Sequence, residues 1–106
     1  RVFFATNKSS LTTASRATLR KQANYLRKNK SLNVTIEGHA DERGTREYNL
    51  ALGERRANAA RDYLMTYGIS GKRISVISYG KEKPVNPAST PLAWSQNRRS
   101  VTVKVN

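Results

Sequence analysis

The sequence has no cysteine, one histidine, one tryptophan, and 7 acidic residues against 20 basic ones in 106. Without cysteine there is no disulfide, no thiolate metal site and no thiol nucleophile. A catalytic triad has no partner for the lone histidine, His39, and a zinc site would lack nitrogen and sulfur ligands, so His39 reads as a strand-end imidazole hydrogen-bonded to a neighbouring loop. No acid occurs before Glu37 or after Glu82. Glu37, Asp41, Glu42 and Glu47 stand among arginines, which lower a carboxyl pKa, the wrong direction for a general acid. Gly38 and Gly44 lack the fixed spacing of a phosphate-cradling loop. These absences together point away from an enzyme. No run approaches the roughly 18 apolar residues of a membrane span. The chain opens abruptly as RVFFA, without an initiator Met or signal-peptide pattern, and reads as a trimmed domain whose export signal or lipid anchor is expected upstream.

What is present fits one globular domain spanning residues 1–106, long enough to bury a core without staples. Val2-Phe3-Phe4 is a short β-prone run. Leu19, Ala23 and Leu26 recur at helical spacing behind an N-cap at Thr12 or Thr13. NVTIEG alternates Val34 and Ile36 against polar neighbours and stops at Gly38, the pattern of a half-buried strand. From about Arg46 to Tyr67 the pattern is helical, with Leu52, Ala59 or Ala60, Tyr63, Leu64 and Tyr67 on one side and Gly68 as the stop. ISVISYG returns to β. KEKPVNPASTP holds all 3 prolines of the chain and is an irregular loop. Leu92 to Asn97 forms a short helical turn. Val101, Val103 and Val105 alternate in a last strand with one wet face. The order β-α-β-α-β-(α)-β predicts an α/β fold, an α+β sandwich with helices packed on one face of a mixed sheet.

The two charge signs mix most densely in GHADERGTREYNLALGERRAN, residues 38–58. Asp41 lies in the loop leaving a strand and Arg56 on the following helix. One carboxylate and one guanidinium suit a zwitterion: an amino-acid end offers an ammonium to the first and a carboxylate to the second, each charge-assisted bond adding roughly 1.5–3 kcal/mol where water is excluded. The same two residues could instead pair with each other and pin the loop to the helix. Arg55 points roughly 100° away from Arg56 and reads as a solvated charge. Trp94, Tyr63 and Tyr67 read as core or rim packing. The net charge of +13 makes a basic nucleic-acid-binding α/β domain the alternative. A carboxylate-dependent wall hydrolase is a second rival, without a candidate acid.

GHADERGTREYNLALGERRAN, followed by ISVISYGKEKP and NRRSVTV, resembles the OmpA-like peptidoglycan-binding family, and within it the lipoprotein members, from Val2 to Val105. The resemblance implies a non-enzymatic domain without a cofactor, on the periplasmic side of the outer membrane and lipid-anchored by a segment outside this chain. Its implied role is to hold peptidoglycan by the diaminopimelate residue of the stem peptide. It also implies partnership with the periplasmic propeller protein of the Tol system, and no specific nucleic acid. Carried over by residue, Asp41 accepts from the ligand ammonium and Arg56 clasps its carboxylate, while Asn49, Asn97 and Arg98 shape or line the pocket. Where the family commonly reads F-x-F-D, this chain has FFATN, so Asn7 stands for the aspartate and brings no charge. Asp41→Ala and Arg56→Ala are both expected to weaken binding with folding intact. The eight basic residues from Arg1 to Lys30 read as a solvated face.

Overall fold

A computed structural model describes residues 1–105. The elements run β1 (Val2–Phe3), α1 (Thr13–Lys28), β2 (Asn33–His39), α2 (Arg46–Thr66), a 3-10 turn (Gly71–Arg73), β3 (Ile74–Gly80), α3 (Pro91–Asn97) and β4 (Arg99–Val105). The expected α/β order holds. The sheet order is β1-β4-β2-β3. β2 and β3 are parallel, joined by the α2 crossover, whereas β4 runs antiparallel to β2 and to β1. Thr12 caps α1, its side chain accepting from the Ser15 N–H. Thr45 caps α2 by accepting from the Tyr48 N–H. Past α2, Gly68 takes φ of +86°, a left-handed conformation that costs glycine little.

The core forms where Leu19, Ala23 and Leu26 of α1 and Ala57, Ala60 and Leu64 of α2 meet Val34, Ile36 and Ile74 of the sheet, closed by Val2 and Phe4. α2 lies across β2 and β3. α3 sits at the end of the sheet, beside the loop that leaves β2.

Three details depart from the sequence reading. Gly38 does not end β2 but lies inside it, paired with Ser78 and Ser100, because α2 crosses there with Gly53 directly above: a Cβ on Gly38 would run into the Gly53 carbonyl. Secondly, the alternating valines of β4 face away from the helices, since Thr102 and Lys104 pair with the buried Ile36 and Val34. Val103 and Val105 are exposed. Thirdly, His39 meets no loop through its ring. Its Nε2 lies 3.1 Å from Glu37 Oε1, two residues back on the same strand. The ring stacks on Tyr79. Burial, then the Arg99 charge, push the imidazole below its usual range.

Candidate functional site

The end of β2 delivers Ala40 and Asp41 to a notch of about 330 Å³, lined by Thr6, Asn7, Asp41, Arg43, Gly44, Tyr48, Asn49, Leu52 and Arg56. Three segments build it: the turn after β1, the loop between β2 and α2, and the first turns of α2. Asn7 takes φ of +57°, a left-handed conformation that asparagine tolerates better than most residues. Its Oδ1 accepts from the Tyr48 hydroxyl at 3.2 Å. Asn49 is buried and donates its Nδ2 to the Arg43 carbonyl at 2.8 Å, fixing the loop on the helix. Lys81 adds a bond from Nζ to the Gly44 carbonyl at 2.7 Å.

Asp41 and Arg56 line the same notch but make no ion pair with each other. The Asp41 carboxylate is taken by other arginines. Its Oδ1 accepts from the Arg43 main-chain N–H at 3.0 Å and from Arg43 Nε at 3.2 Å. Its Oδ2 accepts from Arg43 Nη2 at 2.8 Å and Arg98 Nη1 at 3.3 Å. Burial pushes this carboxyl up, but the side-chain and main-chain hydrogen bonds from Arg43, with Arg98 behind them, outweigh it and hold the group below its ordinary value. It is an acceptor and not an acid. The loop closes as an Asx-type turn, in which Asp41 binds the backbone two residues on.

Arg56 is 0% exposed and forms the floor. Its guanidinium donates from Nε to the Lys8 carbonyl at 2.9 Å, from Nη1 to the His39 carbonyl at 2.9 Å and from Nη2 to the Ala5 carbonyl at 3.1 Å. Phe4 packs against it, 5.3 Å from ring centroid to guanidinium carbon. Burial, then the nearby Arg98 charge, lower its pKa to about 10, so it stays charged at neutral pH. A guanidinium has five N–H donors. Three are spent on backbone here, leaving one on each Nη.

The remaining residues carried over by resemblance occupy the surroundings. Arg98 braces Asp41 while its Nε donates to the Phe4 carbonyl at 2.9 Å. Asn97 does not line the notch. Its Oδ1 accepts the Val85 and Asn86 N–H groups and its Nδ2 donates to the Asn86 carbonyl, so it shapes the proline loop. Two participants escaped the sequence reading. Tyr48 joins the Asn7 wall. Arg43 holds Asp41 and lays its guanidinium over Trp94, 4.2 Å from the ring centroid. Trp94 is fixed by donating Nε1 to Glu42 Oε2 at 2.6 Å, and the Ser89 hydroxyl holds Glu42 Oε1 at 2.9 Å. The signal for Arg43 was its position two residues after an aspartate in a turn.

The sequence and fold resemble those of known proteins. A family model described as OmpA family matches residues 3–98. The chain is 58% identical over 103 residues to the peptidoglycan-associated lipoprotein of Rhizobium meliloti, covering 97% of this chain and 58% of that protein. With the peptidoglycan-associated lipoprotein of Mesorhizobium japonicum, identity is 54% over 102 residues, covering 96% of this chain and 61% of that protein. The chain thus spans about three-fifths of the length of these curated relatives. The crystal structure of the peptidoglycan-associated lipoprotein from Burkholderia pseudomallei superposes with a TM-score of 0.95 at 39% identity, covering 98% of this chain and 88% of that one.

Proposed function

The chain belongs to the OmpA family, and from that premise we propose that residues 1–106 are a single peptidoglycan-binding domain that captures the diaminopimelate residue of the stem peptide without covalent chemistry. The observation that carries the reading is that Asp41 and Arg56, fixed by separate elements, line one notch without pairing with each other. The ligand ammonium goes to Asp41. Its carboxylate goes to the two N–H groups that Arg56 does not spend on backbone carbonyls. Asn7 and Asn49 form the walls, while Arg98 and Asn97 hold the parts in place. The names of the curated relatives support wall association. On this reading the domain tethers the outer membrane to the cell wall, anchored by lipid through a segment outside this chain, and works with the periplasmic propeller protein of the Tol system.

The test is co-sedimentation with purified sacculi, with and without free diaminopimelate. The protein is expected in the pellet and free ligand is expected to release it. Asp41→Ala should weaken capture by about 2 kcal/mol, roughly 30-fold, because it leaves a ligand ammonium unpaired in the notch. Retention of Asp41→Ala at the wild-type level, with folding confirmed by circular dichroism, would remove Asp41 from the site. Capture should also persist as salt rises from roughly 50 to 200 mM, whereas polyanion binding driven by counterion release falls by orders of magnitude.

A second expectation follows from the turn after β1. Asn7 sits in the notch wall, and Asn7→Asp keeps the acceptor for Tyr48 while adding a charge beside the position of the ligand ammonium. The variant is expected to bind a diaminopimelate-containing stem peptide more tightly by isothermal titration, by a few-fold. Unchanged or weaker affinity would show that the turn does not reach the ligand.

A further inference from the structure

We propose that Arg43 sets the specificity of the notch by ion-pair exchange: a zwitterionic ligand replaces the Asp41–Arg43 pair with two pairs of its own, and a simple cation cannot. The proposal rests on the wall-binding reading above. Both Asp41 oxygens are already in use, and Arg43 supplies three of the four bonds they accept. An ammonium reaching Asp41 must therefore displace or share with the Arg43 guanidinium.

The two arginines on Asp41 are not equivalent. The Arg98 side chain is 15% exposed and tied to the Phe4 carbonyl, whereas that of Arg43 is 42% exposed. Arg43 is anchored at its backbone, where Asp41 takes the N–H and Asn49 the carbonyl. Beyond Asp41 its head makes only a long bond, from Nη2 to the Thr6 hydroxyl at 3.4 Å, and can leave while the backbone stays. Trp94 offers it a face on which to rest, and Trp94 is itself locked through Glu42 and Ser89. An arginine keeps much of its interaction with an aromatic face while its hydrogen-bond partners change.

Charge counting decides which ligands make the exchange. Among the described residues Asp41 is the one carboxylate that accepts from Arg43 and Arg98, while Glu42 acts on Arg43 through its charge alone, its oxygens being turned to Trp94 and Ser89. A bare ammonium would take the acceptor from Arg43 and add a further positive charge to an already positive site. An amino-acid end does otherwise. Its ammonium takes Asp41, and its carboxylate gives the released guanidinium a new partner beside Arg56. No charge is left unpaired by the swap. An amidated end, having lost its carboxylate, falls with the simple amines. The zwitterion preference thus comes from a cation the protein must give up as much as from the two groups that receive the ligand.

The experiment compares two competitors for sacculus binding: free diaminopimelate and 1,5-diaminopentane, which has similar reach and no carboxylate. For the wild type, diaminopimelate should release the protein at concentrations at least tenfold below those of the diamine. In Arg43→Gln the acceptor is unguarded, and that ratio should shrink by tenfold or more, with the diamine gaining potency. The second readout is the Arg43 Nε–H resonance in the wild-type protein, which should shift on adding diaminopimelate and stay in place on adding the diamine. An unchanged ratio in Arg43→Gln, or both competitors weakened equally, would overturn the exchange and make Arg43 a loop brace. Wild-type protein that does not sediment with sacculi would instead overturn the wall-binding reading, and the exchange with it.

Discussion

Arg56→Ala is expected to lower the unfolding free energy by about 3 kcal/mol, an effect on the fold before any effect on a ligand. Arg56 is among the largest fully buried side chains and donates to three carbonyls from two distant parts of the chain. Removing it takes a donor from the buried His39 carbonyl and from the part-buried Lys8 and Ala5 carbonyls, of which Ala5 keeps the Lys8 N–H, and a buried unsatisfied acceptor costs about 1–3 kcal/mol. The full sum is not expected. Water entering from the notch recovers part of it, and the protein is relieved of a buried charge, whose pKa burial lowers to about 10. Urea denaturation of wild type and variant, followed by circular dichroism, measures the difference. A loss below about 1 kcal/mol would show that water replaces the guanidinium well, leaving ligand binding as the main role of Arg56. The variant is still expected to fold, as the sequence suggests, but at reduced stability because of these three carbonyls. Asp41→Ala is different. Arg98 keeps the Phe4 carbonyl and Arg43 keeps Trp94 when the carboxylate is gone, but the Arg43 N–H loses its acceptor, so Asp41→Asn, which keeps a side-chain oxygen for that turn, separates loss of the charge from loss of the loop.

The order of elements was legible because strand and helix periods are local. Val34 and Ile36 fall on the buried face as read, and Leu19, Ala23 and Leu26 line α1. Thr12 and Gly68 mark helix ends through chemistry confined to a few residues. The valines of β4 show the limit of that logic: alternation identifies a strand but not which of its faces is covered, and here the covered side carries Thr102 and Lys104. The buried face of α2 was less legible because it is partly polar. Asn49, Gly53 and Arg56 share it with Leu52, Ala57, Ala60 and Leu64, so an apolar count passes over half of what α2 does. A buried arginine needs acceptors. Those of Arg56 are main-chain atoms up to 51 residues away, which no local pattern reports. Asp41 was singled out by its loop position and by resemblance, but the guard on it, Arg43, lies under Trp94, which α3 brings from more than fifty residues on.

Gly38→Ala is expected to be at least as damaging as the loss of Arg56, and it acts on the geometry of the notch from outside it. Gly38 is the penultimate residue of β2, held by β3 on one side and β4 on the other, and its helix-facing side meets the backbone of α2. A Cβ there would overlap the Gly53 carbonyl and come within 3.0 Å of Gly53 Cα. Neither neighbour is a side chain that can turn away. From above, Gly53 is equally confined, by Ser78 Oγ and the Gly38 carbonyl. The two glycines let helix and sheet approach closely. A methyl at position 38 must lift α2, an overpacking error that costs about 1–3 kcal/mol and more where backbone cannot yield. The consequence for the site follows from the chain: β2 ends in the loop that carries Asp41, and α2 carries Asn49 and Arg56 on either side of Gly53. Lifting the helix separates the acceptor from the forked donor. Gly68→Ala is the control, because it meets nothing within 4 Å and suffers only its φ of +86°, a strain of about 1–2 kcal/mol. Denaturation midpoints should fall much further for Gly38→Ala than for Gly68→Ala, and the fraction of Gly38→Ala that remains folded should fail to sediment with sacculi. Equal destabilisation, with wall capture intact in both, would mean that α2 slides over the sheet without cost and that the Gly38–Gly53 contact does not set the distance between Asp41 and Arg56.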